Sequence, residues 1–140
     1  MSHAALNSLI RQKSSAISQK ANLQHQLAIL ETKIQRLQTA STKLSNEMMT
    51  LADQEKRVQG LTVDESKWKG AEKKKFVGHY DNYTDSVKNY RSDVMDKKGQ
   101  IDEEMARTES TKGHILNSIS NLSAQIVNLE WQISNTKKEG

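Results

Sequence analysis

From Leu6 to Val58 a heptad frame of alternating three- and four-residue steps holds without a slip. With a positions at Leu6, Lys13, Lys20, Leu27, Ile34, Ser41, Met48 and Glu55, the d positions are Leu9, Ala16, Leu23, Leu30, Leu37, Leu44, Leu51 and Val58, and every d is apolar. That period holds one stripe on one side of a continuous helix of about 50 residues, roughly 75 Å long. A lone helix cannot hide such a stripe, so the pattern demands a second helix beside the first.

The same chain supplies it. From Ile115 the series Ile115, Ile119, Leu122, Ile126, Leu129 and Ile133 repeats the spacing, with Met105 and Ile101 upstream. Further back the apolar positions read Val94, Tyr90, Val87, Tyr83, Tyr80 and Phe76, which implies a change of register near Gly99. A glycine inside a helix costs about 1 kcal/mol relative to alanine. Gly99 therefore reads either as a bend or as a place where another helix packs closely.

Between the halves lies Val58-Gln59-Gly60-Leu61-Thr62-Val63-Asp64-Glu65. Gly60 suits a left-handed C-cap. Thr62 and Glu65 fit a capping box, with Asp64 adding negative charge to the first turn of the next helix. The expected fold is all-α. A single domain over residues 1–140 forms a long antiparallel coiled-coil-type hairpin, with arm one over about 3–58, a turn over about 59–66 and arm two over about 67–136. Such a hairpin assembles further into a multi-helix bundle.

Composition narrows the chemistry. The 140 residues contain no proline, which would break either arm. They contain no cysteine, which excludes a thiol nucleophile, a disulfide framework and a Cys-based zinc site. His3, His25, His79 and His114 match no metal-ligand spacing, and no Gly-rich phosphate loop or nucleophile elbow is present. No catalytic residue, metal or cofactor is expected, and neither is an enzyme. No apolar run reaches transmembrane length. The opening Met1-Ser2-His3-Ala4-Ala5 lacks a basic flank followed by an apolar stretch, so no conventional secretory leader is expected.

Net charge is +4. Its densest basic cluster, Lys67, Lys69, Lys73, Lys74 and Lys75, is interleaved with Glu65 and Glu72. This reads as a solvated helix face with paired charges, and nucleic-acid or membrane-surface binding is a distant alternative. Lys13, Lys20 and Lys112 fall on seam positions and are expected to snorkel to water.

Trp68-Lys69-Gly70 follows the turn directly, with Phe76 and Tyr80 next in the same arm. A tryptophan there caps the end of an apolar seam, and a neighbouring glycine lets another backbone approach. With these residues at the bend of a proline-free helical hairpin, the sequence resembles the WXG family of type VII secretion in Gram-positive bacteria. It looks closest to the YwqH-like proteins associated with LXG toxins. The resemblance implies a turn motif at Trp68 and Gly70 and a protein that works by pairing, while Phe76, Tyr80, Tyr83 and Tyr90 read along the second arm as an aromatic seam. The implied partner is the N-terminal helical domain of an LXG-type toxin or a small accessory hairpin, in a dimeric assembly. Many members or their partners carry Tyr-x-x-x-Asp/Glu after the second helix. Here Thr84, Val87 and Val94 stand four residues after Tyr80, Tyr83 and Tyr90. The resemblance then implies that a partner supplies the export signal, or that the chain is a cytoplasmic targeting factor. The implied location is cytoplasmic, with export through type VII secretion without a cleaved signal peptide as the other outcome.

A second apolar set lies off the seam and does not depend on the resemblance. Leu116, Val127 and Trp131 share one helical face, and Ile10 and Ile17 form an e-position pair near the start of arm one. A two-helix hairpin cannot cover both stripes, so these five residues are the expected partner interface. The competing reading is a self-assembling coiled-coil scaffold, a homo-oligomer with no secretion role.

Overall fold

A computed structural model describes residues 3–60 and 70–139. Among these residues there are two helices and no strand: α1, His3–Gln59, and α2, Gly70–Glu139. Their termini suit the helix dipole, with Glu72 in the first turn of α2, Lys56 and Arg57 in the last turn of α1, and Lys137 and Lys138 in the last turn of α2. The chain divides into two compact units, one of residues 1–35 with 106–140 and one of residues 36–105. Within each, a segment of α1 packs against a segment of α2, which makes the fold a helical hairpin.

In α1 every a and d position named above is buried or half-buried, and nearly all other positions are exposed. In α2 the shielded positions run Tyr80, Thr84, Val87, Arg91, Val94, Lys98, Ile101, Met105, Thr108, Lys112, Ile115, Ile119, Leu122, Ile126, Leu129, Ile133 and Thr136. That is an unbroken three-four alternation after Tyr80. The expected register change near Gly99 does not occur, because Arg91 and Lys98 occupy seam positions that an apolar count skips. α2 is continuous through Gly99, and a Cβ built there meets nothing within 4 Å. Neither described helix therefore packs closely against it.

The unit of residues 1–35 and 106–140 buries Ala16, Ile34, Leu129, Thr108 and Thr136. Lys13 Nζ lies 3.5 Å from Glu130 Oε1, and Lys112 Nζ lies 4.0 Å from Glu31 Oε1. The pairing of 13 with 130 and of 31 with 112 fixes the antiparallel sense. Both lysines keep their stems along the seam and carry their charge outward to a flanking carboxylate.

The unit of residues 36–105 has its own core of Leu51, Val87 and Val94, with Leu44 and Met48 packed against it. Its polar cross-links are also antiparallel. Ser41 donates to Asp102 Oδ1 at 2.7 Å, the Tyr90 hydroxyl donates to Glu47 Oε1, and Arg91 Nη1 donates to Glu55 Oε2 at 2.6 Å. Thr84 can sit in the seam because its hydroxyl donates to the Tyr80 carbonyl at 2.8 Å, leaving a methyl for packing.

Gly60 corrects a second expectation. Its N–H donates to the Lys56 carbonyl at 3.0 Å, an i to i−4 bond, and no described glycine has positive φ. α1 thus ends without a left-handed cap at Gly60. The proposed capping box at Thr62 and Glu65 lies outside the described residues.

Gly113 is exposed within α2, and a Cβ there meets nothing within 4 Å. Gly113→Ala should therefore raise the unfolding free energy by about 0.5–1 kcal/mol, read by thermal or urea unfolding. A loss of stability would show that the helix depends on the glycine.

Candidate partner interface

Two features stand where the helices present apolar side chains outward. The first lies in the unit of residues 1–35 and 106–140. Ile10 (43% exposed), Ile17 (47%), Leu116 (44%), Val127 (65%) and Trp131 (66%) all stand in solvent. They are exposed for a register reason. Ala16 and Leu129 take the neighbouring d positions, so Ile17 follows its d residue into an e position and Trp131 falls two past its own. An indole two-thirds exposed leaves large apolar area in water, and such area concentrates at protein interfaces.

The second feature was not legible as a site in the sequence. In the unit of residues 36–105, an apolar groove of about 660 Å3 is lined by Ser45, Met48, Met49, Ala52, Met95 and Gly99, with Arg91, Lys98 and Asp102 at its edge. It forms because the e positions next to the seam are small (Ser45, Ala52) and Gly99 has no side chain, while Met49 and Met95 project at 61% and 51% exposure. Met49 already falls on a b position of α1, but Met95 and Gly99 could not be placed beside it without the α2 register.

The turn motif is only partly placed. Trp68 lies outside the described residues. Gly70 is the first residue of α2, exposed, with nothing within 4 Å of a Cβ. Of the four aromatic residues taken for a seam, Phe76 and Tyr80 are half-buried and stack at 6.1 Å between ring centroids with 28° between planes. Tyr83 and Tyr90 are off the seam, at 47% and 49% exposure, because Thr84 and Arg91 hold the inward positions. Tyr90 instead bonds Glu47 across the hairpin's flank. The hydrogen bond to this carboxylate, and then its charge, raise the Tyr90 pKa above the usual tyrosine value.

Asp102 at the groove edge accepts from Lys98 Nζ at 2.7 Å and from Ser41. The Lys98 bond first, and the Ser41 bond next, hold its pKa below the ordinary aspartate value of 3.8. A depressed carboxylate contributes stability that is present above its unfolded pKa and lost as pH falls through the folded one. The wild-type chain should therefore lose stability below about pH 4 more steeply than Asp102→Asn, in unfolding curves measured from pH 6 to pH 2. Equal slopes would contradict the arrangement.

Among the described residues no group of three or more His, Asp or Glu side chains could hold a metal ion, and no helix is long and apolar enough to cross a membrane. Of the basic cluster, Lys67 and Lys69 lie outside the described residues, Lys73 is half-buried, and Lys74 and Lys75 are exposed.

No curated protein and no solved structure matches the chain. The YwqH-like family model matches residues 11–138, which takes in nearly all of both helices and every outward-facing apolar residue above except Ile10. The chain is a member of the YwqH-like family.

Proposed function

We propose that this chain is a non-enzymatic helical partner, or targeting chaperone, of a type VII secretion system. In this role it pairs with the N-terminal helical domain of an LXG-type toxin or with a small accessory hairpin. The observation that carries the reading is the exposed set Ile10, Ile17, Leu116, Val127 and Trp131 on one unit of the hairpin. Membership of the YwqH-like family supports the choice of partner class. A helical hairpin that leaves an indole and four aliphatic side chains in water gains free energy when a second pair of helices covers them, by about 25 cal/mol per Å2 of apolar surface. The protein acts in the cytoplasm and either remains there or travels with its partner.

Co-expression with the N-terminal helical domain of an LXG-type toxin tests the reading. The two should co-purify as a stable complex, weakened by Trp68→Ala. Separate elution at micromolar concentration would sink it. The second reading, a self-assembling scaffold without a secretion role, is favoured by the methionine groove, and it predicts assembly that is indifferent to any toxin domain.

A further inference from the structure

We propose that Met49 and Met95 form a paired methionine-oxidation site. Hydrogen peroxide, or another two-electron oxygen donor, converts both thioethers to sulfoxides there and turns the apolar groove polar while the hairpin stays folded. The inference does not rest on the partner proposed above. The chain has no cysteine, so no thiol competes for such an oxidant. Four of its methionines lie among the described residues, and the fold divides them into two classes. Met49 and Met95 are 61% and 51% exposed. Met48 and Met105 are half-buried on seam positions, and Met48 packs against the core of Leu51, Val87 and Val94. Met48 and Met49 are neighbours in sequence with the same chemistry, so only the helix face each occupies distinguishes them to an oxidant.

In the step, a sulfur lone pair attacks one peroxide oxygen, and the O–O bond breaks as the S–O bond forms. The departing hydroxide takes the proton from the oxygen left on sulfur and becomes water. Sulfur loses two electrons and the peroxide gains them. The product suits the place where it forms. A sulfoxide oxygen is a hydrogen-bond acceptor, and Ser45, Arg91 and Lys98 line the same groove with donors. A guanidinium and an ammonium each carry more N–H donors than the bonds of Arg91 to Glu55 and of Lys98 to Asp102 use. Neither Met49 nor Met95 belongs to the core of this unit, so oxidation removes no seam packing. A sulfoxide inside a core disrupts it. Here both sulfoxides fall on one exposed surface and change its polarity alone.

The test exposes the purified full chain to millimolar hydrogen peroxide at neutral pH and follows its peptides by tandem mass spectrometry, which separates Met48 from Met49. Met49 and Met95 should gain oxygen at least about fivefold faster than Met48 and Met105, and the four rates should converge in denaturing urea. The chain oxidised at both sites should keep its helical circular dichroism and elute earlier from a hydrophobic-interaction column. Methionine sulfoxide reductases should return the elution to its starting position. Met49→Leu combined with Met95→Leu keeps the groove apolar, and its elution should not shift under the same peroxide exposure. Equal rates at the four methionines of the folded chain overturn the proposal. So does loss of the helical signal on oxidation of Met49 and Met95, unchanged elution of the oxidised wild type, or a double variant whose elution shifts as the wild type's does.

Discussion

Leu51→Ala is expected to lower the unfolding free energy by about 2–3 kcal/mol, seen as a fall of about 7–10 °C in Tm. Leu51 is 8% exposed and sits with Val87 and Val94, and with Leu44 and Met48 against them. Removing its isobutyl group takes away the transfer free energy of the buried carbons and leaves a void between two helices. The loss falls in the lower part of the range for leucine truncation because a two-helix layer can settle onto the gap more readily than a three-layer core. Ile29→Ala supplies the control. Ile29 is 55% exposed in the same helix, and its truncation should change stability by less than about 0.5 kcal/mol. Equal effects at the two positions would mean that the seam does not hold the unit together.

Trp131→Asp is expected to abolish or severely weaken the partner complex while leaving the free chain folded. The indole is 66% exposed, so in the free chain its removal uncovers no core. In a complex, an exposed tryptophan one turn from the exposed Val127 on the same helix has the properties of an interface anchor. Truncating such anchors typically costs about 2 kcal/mol or more, at least about 30-fold in Kd. A carboxylate adds a desolvation penalty when the partner covers it. Trp131→Phe, which keeps an aromatic anchor, should retain most of the affinity. The outcome that counts against the interface is a Trp131→Asp chain that binds its partner as the wild type does.

The two helices were unequally legible in the sequence, for a physical reason. α1 declares itself because all eight d positions are apolar, and its seam lies where the spacing puts it. α2 hides its seam because Thr84, Arg91, Lys98, Thr108 and Lys112 take inward positions. Reading apolar letters alone selects Tyr83 and Tyr90 in place of Thr84 and Arg91, and so invents a register change. What permits the polar residues is local chemistry that a hydropathy pattern cannot carry. Thr84 satisfies its hydroxyl on its own helix, Arg91 reaches Glu55, and Lys98 reaches Asp102. Long basic side chains lay methylenes along the seam and place charge at its edge.

The outward apolar set was legible because it depends on the two stretches whose register was clear, around Ile10 and Ile17 and from Leu116 to Trp131. The methionine groove was not, because Met95 and Gly99 acquire their e and b positions only once Lys98 is recognised as a seam residue. The same reasoning explains Gly99. In sequence it offered a bend or a close packing, and within the chain it is neither.

The most direct test of the account is a calorimetric titration of the proposed partner, the N-terminal helical domain of an LXG-type toxin, into the purified full chain at several temperatures. Pairing through an exposed apolar face predicts saturable binding with a negative heat-capacity change, the mark of apolar burial. It also predicts that Trp131→Asp removes that binding. No binding at micromolar concentration, or binding without a heat-capacity change and indifferent to Trp131, would contradict it.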